Sequence, residues 1–506
     1  MARTPVIAAT ATLLVLTTSV GGHAAPSYKP FPPNYGYDTP GEILALKNAV
    51  AKGDHKTVRQ HGWKLWAGIM QPLSAADPNS WPIWFSWQNT TCAFNEPFCP
   101  PQKAPGAVAS RAQAGPQKSL MLLNADAGAA QSDGAAMPIP VNVPEIPCYP
   151  IPAPVMQAYP TATDPKKCGT NNICDGAHFQ FNGDIMIPTE SLSQEGFDWI
   201  RGKKLNEQAT LNDLREQGVK DLTLPRRYVV TKHMFWPVKA AGISAVPVWH
   251  GVFDPTNPSY QGYETWKDLV GVDPTGKAVG TKATVSFLYN VLQLQPPPRP
   301  SCTNQTQLPT VTASATVYGL KDFYSHRVTQ ADWDSFDDAD KAILNASSYW
   351  AYNQPFGPGD YLVTIAMHVN TREIASWALQ SAWWSDQPNS GHYAQDRPQM
   401  PKGTKGPWNH YLLVDAYGIP DSKDRTRLPV ATNPYIELVS HPVGTDCNNC
   451  HIRAGWPTKS IRPGEQTAGY QNRNCSDLLA ALTPGNACFQ YLTRSDFQWI
   501  IPDRAQ

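Results

Sequence analysis

The sequence has no excess of charge of either sign, since 41 Lys and Arg residues balance 41 Asp and Glu residues among 506. A neutral chain has no overall field that attracts nucleic acid or an anionic membrane. Beyond the N-terminal region, no segment is apolar over the ~20 residues that a membrane span needs. The G-x-S-x-G and H-E-x-x-H motifs are also absent. These absences argue against nucleic-acid binding, a transmembrane segment in the mature form, and those two hydrolase classes.

The N-terminus has the pattern of an export signal. An apolar stretch from Pro5 to Val20 ends in small residues, including Gly22 and Ala24. This pattern predicts cleavage after Ala24 or Ala25, which would remove the signal peptide and leave a periplasmic or secreted protein. An uncut membrane anchor is the alternative.

Proline and aromatic residues indicate the fold class. The chain has 49 Pro, 17 Trp and 20 Tyr. Proline interrupts helices and is confined to turns and strand edges. Helical and strand patterns alternate without a βαβ rhythm. We therefore expect an α+β fold of mainly antiparallel strands, short helices and long Pro-rich loops.

The composition changes along the chain and divides it into segments. They are a signal peptide 1–24, an N-terminal helical and aromatic segment 25–100, a low-complexity loop or linker 101–147, a mixed α/β region 148–300, and a β-rich region 301–506 that contains the C-terminal cysteine motif described below.

Hydrophobic periodicity and capping residues predict individual elements. These are two helical pieces over 40–71 broken near Gly53, a strand over 81–87, a helix capped by Thr189 or Ser191, a helix capped by Thr210, a strand over 227–236 with 244–250 as its neighbour, a helix capped by Thr329, paired strands over 361–369 and 376–384, and a strand over 410–416.

One motif carries specific chemistry. Cys447, Cys450 and His451 form C-x-x-C-H, the sequence of c-type haem attachment. The two thiols add across the two vinyl groups of a haem, and the adjacent histidine supplies the proximal iron ligand. The motif therefore predicts one covalent haem c. Three alternatives are a thioredoxin-like dithiol, a zinc site that also uses Cys475 and Cys488, and a structural disulfide.

The C-terminal part of the chain, from about residue 180, resembles a family of large, exported, single-haem cytochrome c proteins of poorly defined role. The matching pieces are Ala366–Ile374, Trp383–Trp384, Cys447–Arg453 and Arg494–Trp499. The resemblance implies haem binding and electron transfer, and it names no substrate.

The sixth iron ligand is not obvious, because no Met or His follows His451. A ligand of either type must come from upstream, and on a strand Met367 and His368 point to opposite faces. We favour His368 as the tentative distal ligand. The other candidates are Met367, His392, Met400, His410 and His441. Arg453, Lys459 or Arg462 could bind a haem propionate, and Trp456 could pack on the porphyrin.

Eight cysteines remain outside the motif, an even number that suits an oxidising compartment. Proximity in the sequence predicts the pairs Cys92–Cys99, Cys168–Cys174, Cys475–Cys488 and, by elimination, Cys148–Cys302. The alternative is that several of them are buried thiols.

Three functions remain open on the sequence alone. The first is an electron-transfer cytochrome with a redox partner protein. The second is a haem enzyme of the peroxidase or oxygenase type, which the long region before the motif favours. The third is a haem-based sensor of redox state or gas.

Overall fold

The structure is a computed structural model. It describes residues 28–74, 77–94, 146–164, 185–254, 257, 261–287, 293–295, 306–307, 310–394, 407–437, 446–458 and 480–506. The predicted signal peptide and almost all of the predicted linker 101–147 lie outside these residues. In the part of the chain that is described, no helix is both long and apolar enough to cross a membrane.

The described ranges contain ten short α-helices. They are α1 Pro40–Lys52, α2 His55–Ile69, α3 Thr90–Phe94, α4 Ala153–Ala158, α5 Gln194–Gly202, α6 Gln208–Glu216, α7 Gln330–Ser335, α8 Asp338–Tyr352, α9 Cys447–Ile452 and α10 Ile500–Arg504.

The same ranges contain eighteen strands. They are β1 Pro72–Ser74, β2 Asp77–Pro82, β3 Gln88–Asn89, β4 Ile146–Cys148, β5 Ile187–Leu192, β6 Val229–Val238, β7 Ser244–Pro247, β8 Leu269–Asp273, β9 Lys282–Phe287, β10 Gln293–Gln295, β11 Thr306–Gln307, β12 Val311–Gly319, β13 Ser325–Arg327, β14 Tyr361–Thr371, β15 Ala378–Trp384, β16 Tyr411–Ala416, β17 Gly455–Trp456 and β18 Thr493–Arg494.

A seven-stranded antiparallel sheet forms the centre of the fold. Its order is β16–β15–β14–β6–β5–β3, and β13 pairs with the first residues of β14. Smaller sheets have the orders β7–β8–β12–β9 and β11–β10–β4, and two further sheets have two strands each. Among these described strands, only the β8–β12 pair is parallel. The mixed α+β class with mainly antiparallel strands is therefore confirmed.

Both faces of the large sheet are covered. On one, the N-terminal face, Gly62 of α2 lies against Gln380 and Leu413. On the other, the C-terminal face, the Asn433 side-chain amide donates to Ser381 Oγ at 2.8 Å. Side chains alternate between the two faces along each strand. Two consecutive residues along β14, or along β15, therefore point to opposite faces of the sheet.

The predicted pairing of 244–250 with the strand over 227–236 is wrong. β7 pairs with β8 in the four-stranded sheet. Both edges of β6 are already occupied, by β5 on one side and β14 on the other. A strand has only two edges for backbone hydrogen bonds, so β6 has no place for β7.

The aromatic run over 81–87 is also not a continuous strand. A 3₁₀ turn covers Ile83–Ser86, closed by a hydrogen bond from Trp87 N–H to the Trp84 carbonyl at 3.0 Å. The Ser86 hydroxyl donates to the Ile83 carbonyl at 2.7 Å and tightens the turn. An apolar turn and an apolar strand have the same composition, so the aromatic pattern alone did not distinguish them.

Two helix starts differ from the predicted caps, whereas the predicted cap Thr329 is confirmed. Ser193 caps α5, and its Oγ accepts from Gly196 N–H at 3.3 Å. Thr189 and Ser191 lie in β5 instead, where their backbone groups pair with β6. Thr210 lies within α6 rather than at its cap. Thr329 caps only α7, and a second cap, Asp337, starts α8.

Candidate functional site

The C-x-x-C-H motif forms the short helix α9. Asp446 caps it, because its side-chain Oδ1 accepts from Asn448 N–H at 2.8 Å. Asp446 is buried, and desolvation raises the pKa of its carboxyl to about 7. A cap that remains hydrogen-bonded while buried fixes the start of the helix, and therefore the spacing of the two thiols.

The two variable residues of the motif anchor α9 on opposite sides. The Asn448 side-chain amide donates to the Ser376 carbonyl at 2.6 Å, next to β15. The Asn449 amide donates to the Ala480 carbonyl at 2.8 Å, in the C-terminal segment. Both asparagines are buried. These bonds hold the helix between the sheet and the end of the chain.

Arg453, the predicted propionate partner, follows directly after α9. Its side chain is buried, and its Nε donates to Asn449 Oδ1 at 2.9 Å. It therefore braces the motif from within. Binding of a haem propionate by Arg453 stays a prediction, and Lys459 and Arg462 lie outside the described residues. Trp456 is buried and donates to Asn212 Oδ1 at 2.8 Å.

The two motif cysteines differ chemically from others in the chain. Cys92 and Cys488 are disulfide-bonded. Neither Cys447 nor Cys450 is in a disulfide. Burial, with the nearby charge of Glu437, raises the pKa of the Cys447 thiol well above its usual value. Cys447 is therefore a protonated thiol at neutral pH.

His451 has a defined tautomer. Its Nδ1 lies 2.7 Å from the Phe497 carbonyl oxygen, which can only accept, so Nδ1 carries the proton. Desolvation lowers the pKa of the ring to about 4. The imidazole is therefore neutral at neutral pH, and its Nε2 carries a lone pair. This is the form of histidine that binds a metal.

The turn that provides this acceptor has unusual backbone geometry. Asp496 and Phe497 both have positive φ, 50° and 66°. The Asp496 carboxylate accepts from Leu224 N–H and Arg372 Nε, each at 2.8 Å, and from Trp377 Nε1 at 3.0 Å. Three donors from other parts of the chain thus hold a conformation that non-glycine residues seldom adopt.

The C-terminal face of the large sheet brings His368 to the motif. His368 lies between Ser381 and Lys232 in one row across β15, β14 and β6. Its Nε2 is 2.8 Å from Glu437 Oε1. After desolvation and the Phe497 hydrogen bond, the charges of His368, Glu437 and Lys232 are the next influences on the pKa of His451. The sheet histidine and the motif histidine therefore share one environment.

The remaining ligand candidates lie elsewhere or outside the description. Met367 is fully buried, and strand alternation puts it on the N-terminal face, away from His368. The His410 ring stacks on Trp384, and its Nε2 is 3.7 Å from Asp322 Oδ1. Met400 and His441 lie outside the described residues, as does the side chain of His392.

The geometry bears on the three alternatives for the motif. A dithiol oxidoreductase needs a cysteine of lowered pKa, whereas the pKa of Cys447 is raised. Zinc binding with Cys488 would need a thiolate, and that cysteine is in a disulfide. Among the described residues no group of three or more His, Cys, Asp and Glu side chains could hold a metal ion. A disulfide within the motif is not formed.

Sequence reasoning missed four residues that build this site. Asp446 was detectable, because an Asp directly before a short helix is a capping signal. Asn449 and Glu437 gave no such signal, since the contacts of Asn449 with Ala480 and of Glu437 with His368 join segments distant in sequence. Asp496 was identified only as part of the C-terminal resemblance, and a positive φ at an Asp has no sequence mark.

No protein-family model, no curated protein and no solved structure matches this chain.

Proposed function

We propose that this protein carries one covalent haem c on Cys447 and Cys450, with His451 as proximal iron ligand, and transfers electrons in the periplasm or outside the cell. The observation that carries the proposal is the state of His451. Its Nδ1 proton is fixed on the Phe497 carbonyl at 2.7 Å, which leaves a neutral imidazole with a lone pair on Nε2.

The chemistry of the donor set fits a haem. Attachment consumes two S–H groups, each adding across a vinyl C=C bond, so it requires thiols that are not oxidised to a disulfide. Cys447 and Cys450 meet that requirement, although Cys92 and Cys488 of the same chain are disulfide-bonded. A haem held there supplies one-electron exchange at its iron.

The residues around the motif each have a role in this proposal. Asp446 and Asn448 fix α9 against the sheet side of the site. His368 is the distal ligand in this proposal, supplied from β14 on the C-terminal face. Arg453 is the propionate partner in this proposal. A strand in the middle of a sheet moves little, so a ligand from β14 would keep its place when the iron changes oxidation state.

Removal of the attachment thiols tests the proposal. The double variant Cys447→Ala, Cys450→Ala should lose covalent haem, whereas His410→Ala should keep it, because His410 lies against Trp384. The measurement is a denaturing gel of protein matured in an exporting host, stained for haem peroxidase activity. Absence of a stained wild-type band would refute the proposal.

A haem enzyme is the second candidate, and one contact favours it. His368 Nε2 lies 2.8 Å from Glu437 Oε1, but the two groups are not aligned as a hydrogen bond. A histidine beside a carboxylate can move protons at an open distal position. High-spin iron that binds carbon monoxide, with peroxide turnover, would favour this candidate. Low-spin, six-coordinate iron would favour the electron carrier.

A further inference from the structure

The acceptor of the His451 ring proton comes from a part of the chain far from α9. It is the Phe497 carbonyl, in the turn where Asp496 and Phe497 both have positive φ. Neither residue is Gly, so the turn needs external support to persist. The Asp496 carboxylate supplies that support by accepting three hydrogen bonds.

Two of these three donors lie in the connection between β14 and β15, and the third lies in the segment before β6. Leu224 N–H precedes β6, Arg372 Nε follows β14, and Trp377 Nε1 precedes β15. Trp377 is fully buried and itself has a positive φ of 61°. The carboxylate therefore ties the C-terminal turn to the β14–β15 connection and to the segment that leads into β6.

We propose that Asp496 is a positioning residue for the iron ligand: by locking the turn, it aims the Phe497 carbonyl at His451 Nδ1. The inference rests on the proposed haem site. A metal-bound histidine that donates its other N–H to an oxygen acceptor has a fixed ring and is a more basic ligand. A more basic axial ligand stabilises ferric over ferrous iron and lowers the reduction potential.

The variant Asp496→Asn tests the role of the carboxylate as a hydrogen-bond acceptor without changing how readily the residue adopts a positive φ. Asn tolerates positive φ at least as well as Asp, but its amide NH₂ would face donors instead of accepting from them. We expect covalent haem to remain and the reduction potential to rise. Trp377→Phe removes one of the three donors and keeps an aromatic ring, so it should raise the potential by less.

Asp221→Asn is the matched control. Asp221 forms an ion pair with Arg494, two residues before Asp496, and takes no part in the three hydrogen bonds. The reduction potential of the Asp221→Asn variant should equal that of the wild type. The measurement is an optical redox titration, with a pyridine haemochrome spectrum to count covalent haem. Unchanged potentials in both Asp496→Asn and Trp377→Phe, with haem attached, would overturn the inference and leave the proposed function intact.

A second measurement does not require haem. In haem-free full-length protein labelled with ring-¹⁵N histidine, His451 should be a single Nδ1–H tautomer, and Asp496→Asn should give a mixture of tautomers. The same single tautomer in both proteins would overturn the inference. A wild type that never acquires haem refutes the proposed function itself, and the two failures are therefore distinguishable.

Discussion

At the scale of single residues, the position of His368 leads to the first prediction. His368 lies on the face of the sheet that contacts Glu437, and its charge lowers the pKa of His451. We expect His368→Ala to convert low-spin iron to high-spin and to open the iron to carbon monoxide, with covalent haem retained. Absorption spectra of oxidised, reduced and carbon-monoxide-treated protein provide the measurement.

Met367→Leu is the matched control, since Met367 is the next residue of β14 but points to the opposite face. Its spectrum should match that of the wild type. An unchanged spectrum in His368→Ala would instead eliminate His368 as the ligand and direct the search to Met400, His410 and His392. A wild type that is already high-spin would favour the enzyme or the sensor.

The buried cap Asp446 leads to a prediction about pH. Its carboxyl pKa is raised by burial from an ordinary value of 3.8 to about 7. The folded state therefore binds the Asp446 proton more tightly than the unfolded state does. Protonation of Asp446 contributes fully to the free energy of unfolding below pH 3.8, and this contribution is lost as pH rises to about 7. A tenfold difference in proton affinity between the two states corresponds to about 1.4 kcal/mol of unfolding free energy.

The variant Asp446→Asn keeps a capping side chain and removes the titration. We expect the stability of the wild type relative to this variant to fall as pH rises from the ordinary carboxyl pKa of 3.8 to about 7, and to be constant above that range. Denaturant unfolding at a series of pH values gives the comparison. Parallel pH profiles for the two proteins would contradict it.

At the scale of elements, local sequence signals were sufficient to predict a helix or strand where its partner is close in the sequence. The paired strands β14 and β15, the strand β16, and the break at Gly53 were predicted from periodicity and turn residues, and all are confirmed. Gly53 has a φ of 71°, which explains why the helical pattern stops there. Such features are determined within a few residues.

Elements whose partners are distant in sequence were not predictable. The register of β14 against β6 shifts by one residue between Thr364 and Ala366, a β-bulge. Because of that shift, His368 lies opposite Lys232, whereas the register at Thr364 would place it opposite Thr231. A bulge depends on which strand is the neighbour, and no local pattern identifies the neighbour. The environment of His368 therefore required the structure.

At the scale of the whole molecule, the cysteines provide a prediction that separates haem attachment from disulfide formation. In mature protein we expect alkylation without reduction to label no cysteine, because two are thioethers and eight are in disulfides. Protein exported without haem should be labelled at two, Cys447 and Cys450. Intact-mass spectrometry counts the labels, and two or more on the haem-loaded protein would contradict the pairing scheme.

The central strand pair joins parts of the chain that are far apart, since Val229 pairs with Thr371. Closing a long loop costs entropy before the stabilising contacts between the distant strands can form, so sheets with such non-local pairing form slowly. Until β14 and β15 are in place, Ser376 is not positioned to hold Asn448 and the motif helix has no sheet to pack on. We therefore expect an interval during folding in which both motif thiols are open to a modifying enzyme.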